Sequence, residues 1–315
     1  MSDLQDRLRG IAVGAAVGDA LGMPLEFHPP RPEYAWVNEM IEGPLPAGTF
    51  TDDTEMALCL TESLLLTSPL NSRDLSARFT AWYQSHPSDV GIHTAKVLAA
   101  IASGTDFAKA SHEIQAEEPE SAGNGGVMRA WPLAIARHAH PGLLAAETRL
   151  QCEITHTHED SINGALLFNF VLYHILQNLS EAKELVIRQA ILQASEQVIL
   201  DPDFLLAVKL SAMRLPSDLK NSGWVRHSIE SALWAVQTTH SFEEALVKVV
   251  NLGNDADTAG CITGAISGAL YGINNIPQRW RQVLHGEYPI RSGKLWFEQD
   301  FIHMADQLAE LGNNG

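Results

Sequence analysis

Asn254-Asp255-Ala256-Asp257-Thr258-Ala259-Gly260-Cys261-Ile262-Thr263-Gly264-Ala265-Ile266-Ser267-Gly268-Ala269 opens on two carboxylates and runs on in small and aliphatic residues. It shows no strand-like alternation. Gly260, Gly264 and Gly268 recur every fourth position, which puts them on one face of a helix. Glycine weakens a helix, so such a face implies a buried helix that a neighbour approaches closely. Gly10, Gly14 and Gly18 form a similar face within the helical pattern of 5–18, open to another helix or to a ligand.

A buried helix that begins on Asp255 and Asp257 needs compensation for those charges. The two stand two apart in an irregular segment and can point the same way, as ligands do in hard-cation loops. A calcium-binding helical-hand loop is excluded, because its further oxygen ligands and terminal Glu are missing. Thr51-Asp52-Asp53-Thr54, ahead of Glu55 and Met56-Ala57-Leu58-Cys59-Leu60, has a plain reading as an N-cap with an acidic first turn. Two aspartates between two threonines exceed what a cap needs. Adjacent helical side chains diverge by about 100°, so a metal pair or two separate partners must satisfy both. If the two junctions meet, four carboxylates converge and repel one another unless divalent cations neutralise them. The expected ligands, Thr51, Asp52, Asp53, Asp255, Asp257 and Thr258, are all oxygens, which suits two Mg2+ or Mn2+ ions and not zinc. Such ions about 4 Å apart can share and activate a water.

Helical periodicity covers most of the chain. It predicts helices over 5–18, 53–67, 73–85, 91–102, 106–114, 127–138, 142–153, 160–177, 181–199, 202–210, 224–238, 242–251, 257–270 and 294–311. Strand patterns are nearly absent, and nothing supplies the strand–turn–helix context of a nucleotide-binding α/β fold. Between 27 and 50, His28-Pro29-Pro30-Arg31-Pro32 and Gly43-Pro44-Leu45-Pro46 cannot continue a helix, so this stretch reads as a lid or cleft-rim loop. The expectation is an all-α, compact single-domain multi-helix fold over 1–315.

The 38 acidic against 21 basic residues give a net charge of −17, which argues against a nucleic-acid surface. An anionic substrate would need local positive potential from metals and helix N-termini. Cys59, Cys152 and Cys261 form no CxxC, so neither a zinc-thiolate site nor a disulfide framework is suggested. The start, Met1-Ser2-Asp3-Leu4-Gln5-Asp6, lacks a basic region followed by an apolar one, and no run approaches about 18 apolar residues. A cytoplasmic protein without membrane contact is expected.

The ordered motifs resemble the ADP-ribosylglycohydrolase family. They are Gly14-Ala-Ala-Val-Gly-Asp-Ala-Leu-Gly-Met-Pro-Leu-Glu-Phe27, Thr51-Asp-Asp-Thr54, Pro87-Ser-Asp-Val-Gly91 with Thr94, Gly123-Asn-Gly-Gly-Val-Met-Arg-Ala-Trp-Pro-Leu133, Thr155-His156 and Gly253-Asn-Asp-Ala-Asp-Thr258. The resemblance covers about residues 5–285 and implies a binuclear magnesium or manganese centre at the base of an ADP-ribose cleft. Glu26 takes the position of a glutamate that contacts the metal site in some relatives. Asp89 takes that of an aspartate proposed to act at the scissile linkage, although Pro87–Gly91 reads equally as a capping turn. With Asp53, these two are the expected catalytic residues. Asn124, Gly125, Gly126, Met128, Arg129 and His156 are the expected substrate-facing set. Gly125 and Gly126 would offer backbone N–H groups, and Asn124 a donor. Arg129 would be a phosphate partner or an internal salt bridge, and His156 would lie near ribose or adenosine or be a structural histidine. Phe27, Trp36, Trp131 and Trp224 are stacking or packing residues.

The implied activity is hydrolysis of an N- or O-glycosidic bond at the distal ribose of ADP-ribosylated proteins or small ADP-ribose conjugates. A binuclear-metal nucleotide phosphohydrolase and a non-catalytic ADP-ribose-binding protein are the alternatives.

Overall fold

The computed structural model describes residues 3–179 and 181–313; Met1 and Ser2, on which the reading of the N-terminus began, lie outside them. The chain starts with α1 (Asp3–Gly22), and after a long segment with no α-helix continues with α2 (Asp52–Leu66), α3 (Ser72–Gln84), α4 (Ile92–Ala102) and α5 (Phe107–Glu117). Two short helices, α6 (Gly125–Met128) and α7 (Trp131–Ala136), precede α8 (Pro141–Glu153), α9 (Glu159–Gln177), α10 (Lys183–Gln197) and α11 (Pro202–Leu210). Then come α12 (Val225–Gln237), α13 (Phe242–Val250), α14 (Ala256–Tyr271) and α15 (Gln278–Val283). A hairpin of β1 (His285–Glu287) and β2 (Leu295–Phe297) leads into α16 (Glu298–Asn313).

The two glycine faces pack on each other. Gly10, Gly14, Gly18 and Gly22 of α1 oppose Gly268, Gly264, Gly260 and Ala256 of α14, so the helices run antiparallel. A Cβ on Gly18 would stand 2.0 Å from the Gly260 carbonyl oxygen, and one on Gly264 would stand 1.9 Å from that of Gly14. Backbone thus lies on backbone, and no larger residue fits. This pair forms the spine of the core. By length and mean hydropathy the stretch Asp3–Leu25 is enough to cross a membrane, although charged residues interrupt it, but 94% of that window is buried within the fold. Its hydropathy reflects its central position.

The predicted helix over 127–138 is two helices. Pro132 has no N–H to offer the Met128 carbonyl, so the ladder breaks at Arg129 and Ala130. The predicted helix over 294–311 begins later, because Leu295–Phe297 pairs antiparallel with His285–Glu287. Asp300 then accepts the Phe297 N–H at 2.8 Å and starts α16. The short α15 escaped prediction, lying in the Pro277–Val283 stretch with under two turns of pattern.

Residues 27–50 carry one turn of 3-10 helix, Glu33–Ala35. The segment is tied to the turn before α14. Phe27 donates to the Asn254 carbonyl and Asn254 to the His28 carbonyl, both at 2.7 Å. The Asn251 side chain brackets Val37, accepting its N–H and donating to its carbonyl, each at 2.8 Å. Only Phe27 of this segment lines the cleft described next.

Candidate active site

The site begins inside α1. Gly18-Asp19 places a carboxylate at the α1–α14 contact, and that carboxylate reaches the start of α2. Asp19 accepts from Thr51 N at 3.0 Å, Thr51 Oγ1 at 2.7 Å, Thr54 N at 3.2 Å and Thr54 Oγ1 at 2.5 Å. The free N–H groups of α2 are therefore capped from another helix and not by Thr51 or Asp52. That frees Asp52 and Asp53 to face elsewhere. Sequence reading missed Asp19, since one acidic residue in an apolar helix pattern gives no sign of a long-range cap.

The spine brings the two acidic junctions together. Thr258 Oγ1 at the head of α14 donates to Asp53 Oδ2 at 3.2 Å, across 205 positions of sequence. One carboxylate oxygen each from Asp52, Asp53 and Asp257 lies within 4.8 Å of the others. Asp53 Oδ1 is buried without a hydrogen-bond partner among the described residues. Burial pushes the Asp52, Asp53 and Asp257 carboxyls well above the usual range, and neighbouring carboxylates push further: Asp89 on Asp52, Asp257 on Asp53, Asp255 on Asp257. The partly buried Asp255 is raised to about 6, with the Asn124 hydrogen bond opposing the rise. An all-oxygen set with an orphaned buried acceptor and mutual repulsion fits a hard divalent cation. Thr51 differs from the rest. Its hydroxyl hydrogen is committed to Asp19, it does not line the cleft, and only its remaining lone pair could face a cation.

These groups floor a cleft of about 650 Å³. Glu26, just past the end of α1, and Asp89, in the turn before α4, reach its rim. Their carboxylate oxygens and one of Asp257 lie within 4.8 Å of one another. Burial, then the Asp89 charge, raises Glu26 to about 9, so in the absence of a cation it carries a proton. Asp89 is not the cap of α4; Gly91 holds that place and no side chain bonds there. Phe27, 83% exposed, and Ile92, 78% exposed, flank the mouth.

The far wall comes from the glycine-rich segment and the turn before α9. Asn124, Gly125, Met128 and His156 line the cleft. The roles differ from those expected. The Asn124 amide donates to Ser228 Oγ at 2.7 Å and to Asp255 Oδ2 at 2.6 Å, so one N–H group orients Asp255, the other is held by Ser228, and none is left for a substrate. Gly126 faces away: a Cβ there would stand 2.2 Å from Cys152 Sγ. Gly123 and Gly125 leave room for the His156 ring, which a Cβ on either would meet within 3.0 Å. Arg129 is neither a phosphate partner nor half of a salt bridge. It is fully buried, lies 4.4 Å over the Phe79 ring and donates to Gln151 and Thr155. Trp131 is core, Trp36 bonds the Arg31 carbonyl, and neither they nor Trp224 line the cleft. His93, Thr94, Ser121, Ser222 and Gly223 do line it and were not singled out from sequence, having no motif of their own beyond Thr94.

The whole chain, residues 1–315, matches the family described as ADP-ribosylglycohydrolase. The ADP-ribosylarginine hydrolase Tri1 of Serratia proteamaculans is 31% identical over 296 residues, 90% of this chain and 76% of that protein. The ADP-ribosyl-(dinitrogen reductase) glycohydrolase of Rhodospirillum rubrum is 31% identical over 292 residues, covering 89% and 91% of the two chains. Human ADP-ribosylhydrolase ARH3 is 25% identical over 327 residues, covering 89% of each. A solved chain of an ADP-ribosylglycohydrolase-related protein complex superposes with a TM-score of 0.82 at 31% identity, covering 99% of this chain and all of that one. On the combined strength of the cleft, the opposed acidic junctions and these matches, the chain belongs to the ADP-ribosylglycohydrolase family of hydrolytic enzymes.

Proposed function

We propose that the cleft binds the ADP-ribose part of an ADP-ribosylated protein or small conjugate and that the enzyme hydrolyses the glycosidic bond at its distal ribose. The observation that carries this reading is the junction of α2 and α14, where Asp53 meets Thr258 across the floor with one buried carboxylate oxygen unpartnered. Asp52, Asp53, Asp257, Asp255 and Thr258, with Thr51 from behind, would hold magnesium or manganese there. When bound, such ions supply Lewis-acid stabilisation of oxygen ligands and offset the carboxylate charge.

The protein's own groups then divide the work. Asn124, itself anchored on Ser228, holds Asp255 in place from the wall. Asp89 and Glu26 stand at the rim beside Asp257, where a carboxyl can hand a proton to the departing group or take one from water. This differs from two free acids flanking a sugar, since the remaining carboxylates serve as ligands. Met128 gives the cleft an apolar wall, and His156 offers a ring nitrogen. The protein's net charge of −17 repels an anionic ligand, and cations held by the floor carboxylates would reverse that field locally.

The test is release of ADP-ribose from arginine-, serine- and O-acetyl-linked conjugates, in magnesium or manganese and in chelator, with Asp257→Asn as control. Cation-dependent release that the variant lacks supports the reading. Release of inorganic phosphate, or tight binding without turnover, contradicts it.

A further inference from the structure

Arg129 was expected at the substrate and instead lies behind it. Its Nε donates to Gln151 Oε1 at 2.9 Å, and its Nη2 donates to the Gln151 carbonyl at 2.9 Å and to Thr155 Oγ1 at 2.8 Å. Gln151 is itself oriented, donating from Nε2 to the Gly126 carbonyl at 2.7 Å. A guanidinium has only donors, so Thr155 Oγ1 is the acceptor in the Arg129 contact. The same oxygen lies 2.8 Å from His156 Nδ1 and has no other hydrogen-bond partner among the described residues.

Proton accounting then leaves one arrangement. Thr155 is fully buried, and its hydroxyl hydrogen has a single acceptor within reach, His156 Nδ1. Were Nδ1 to donate instead, the Thr155 hydrogen would be buried without an acceptor, a costly state. Nδ1 therefore accepts, and the ring's one proton sits on Nε2. Burial, with the His93 ring and the Arg129 charge nearby, lowers the His156 pKa and keeps it neutral. His93 packs on it at 4.9 Å between ring centroids and donates its own Nε2–H to the Thr155 carbonyl at 3.0 Å. His156 is 2% exposed and lines the cleft, and its Nε2 has no partner among the described residues.

We infer that Arg129 and Thr155 are positioning residues which fix His156 as the Nε2–H tautomer, so that the cleft presents a neutral N–H donor to an acceptor-only oxygen such as a pyrophosphate oxygen of the substrate. The inference rests on the ADP-ribose reading of the cleft for the identity of the acceptor, but not for the tautomer. The other tautomer would turn a lone pair toward the ligand, which an acceptor-only oxygen cannot use.

Long-range proton–nitrogen spectra of 15N-labelled protein in magnesium buffer report the tautomer directly, and calorimetry with ADP-ribose reports the donor. In the wild type, His156 should show a protonated Nε2 and a bare Nδ1. Thr155→Val should redistribute the proton, weaken ADP-ribose at least about tenfold, and raise KM while kcat changes little. Thr155→Ser should restore both readouts. A wild-type His156 protonated on Nδ1 overturns the inference, whether or not any variant folds. So does a folded Thr155→Val protein with unchanged tautomer and affinity. Nε2–H in a wild type that fails to bind ADP-ribose supports the tautomer assignment and overturns only the substrate reading.

Discussion

Asp53→Asn separates a ligand role from a structural one, because the two predict opposite signs. In the cation-free protein, the Asp53 carboxylate is buried among Asp52, Asp255 and Asp257, and its Oδ1 has no partner. An asparagine oxygen can still accept from Thr258 Oγ1, now 3.2 Å from Oδ2, while its amide supplies donors where only acceptors stood. Relief of one uncompensated buried group is worth about 1–3 kcal/mol. With about 2.1 cal/mol/K of unfolding entropy per residue, a chain of 315 residues should then melt about 2–5 °C higher in chelator than the wild type. Titrating magnesium should reverse the order. The wild type gains about 2.7 kcal/mol when the cation is at a hundred times its Kd, and the variant gains little and releases no ADP-ribose. Thermal melts with and without magnesium, alongside the release assay, measure both signs. A variant that melts below the wild type in chelator, or keeps the full magnesium shift, would refute the reasoning.

Gly18→Ala puts a Cβ 2.0 Å from the Gly260 carbonyl oxygen. The forced separation costs about 1–3 kcal/mol, against about 1 kcal/mol of helix propensity gained, so melting temperature and activity should both fall. Gly142→Ala, with nothing within 4 Å, should leave both unchanged or raise the first. Asp19→Asn loses half of a cap that accepts from four donor groups of Thr51 and Thr54; it should cost about 1–3 kcal/mol and weaken the magnesium-induced melting shift. In chelator, Glu55 and Glu26 hold protons up to about 8 and about 9 in the folded state, chiefly through burial. Because the folded state binds more protons than the unfolded one, stability is present at low pH and lost as pH rises through those values, at up to about 1.4 kcal/mol per pH unit for a fully held proton. Melting temperature should therefore fall between pH 7 and 9, above the range where histidines act oppositely, and magnesium should flatten the fall; a rise would contradict it.

The helical class was legible because Ala, Leu and Gly recur at helical spacing almost throughout. The glycine faces at 10–18 and 260–268 announced a close neighbour, but the pattern carries no information on which neighbour, and only the structure pairs them. The acidic junctions were legible because Thr51–Thr54 and Asp255–Thr258 carry more charge than a helix start requires, and the structure brings them together. Roles within the glycine-rich segment were not legible. Asn124 and Arg129 are both donors on a turn near a ligand, and sequence does not say that Asp255 and Thr155 consume those donors first. Asp19 was hidden for the same reason, since its partners lie 32 and 35 positions away. Short elements such as β1, β2 and α15 offer too few residues for any period to show.

The central claim is that α1 and α14 hold two acidic helix starts together so that their carboxylates share divalent cations at the floor of the cleft. Anomalous diffraction from crystals grown in manganese tests it most directly. The account predicts strong peaks bounded by Asp52, Asp53 and Asp257, lost in the Asp53→Asn protein. Manganese bound only elsewhere, or a floor free of anomalous signal at saturating manganese, would contradict it.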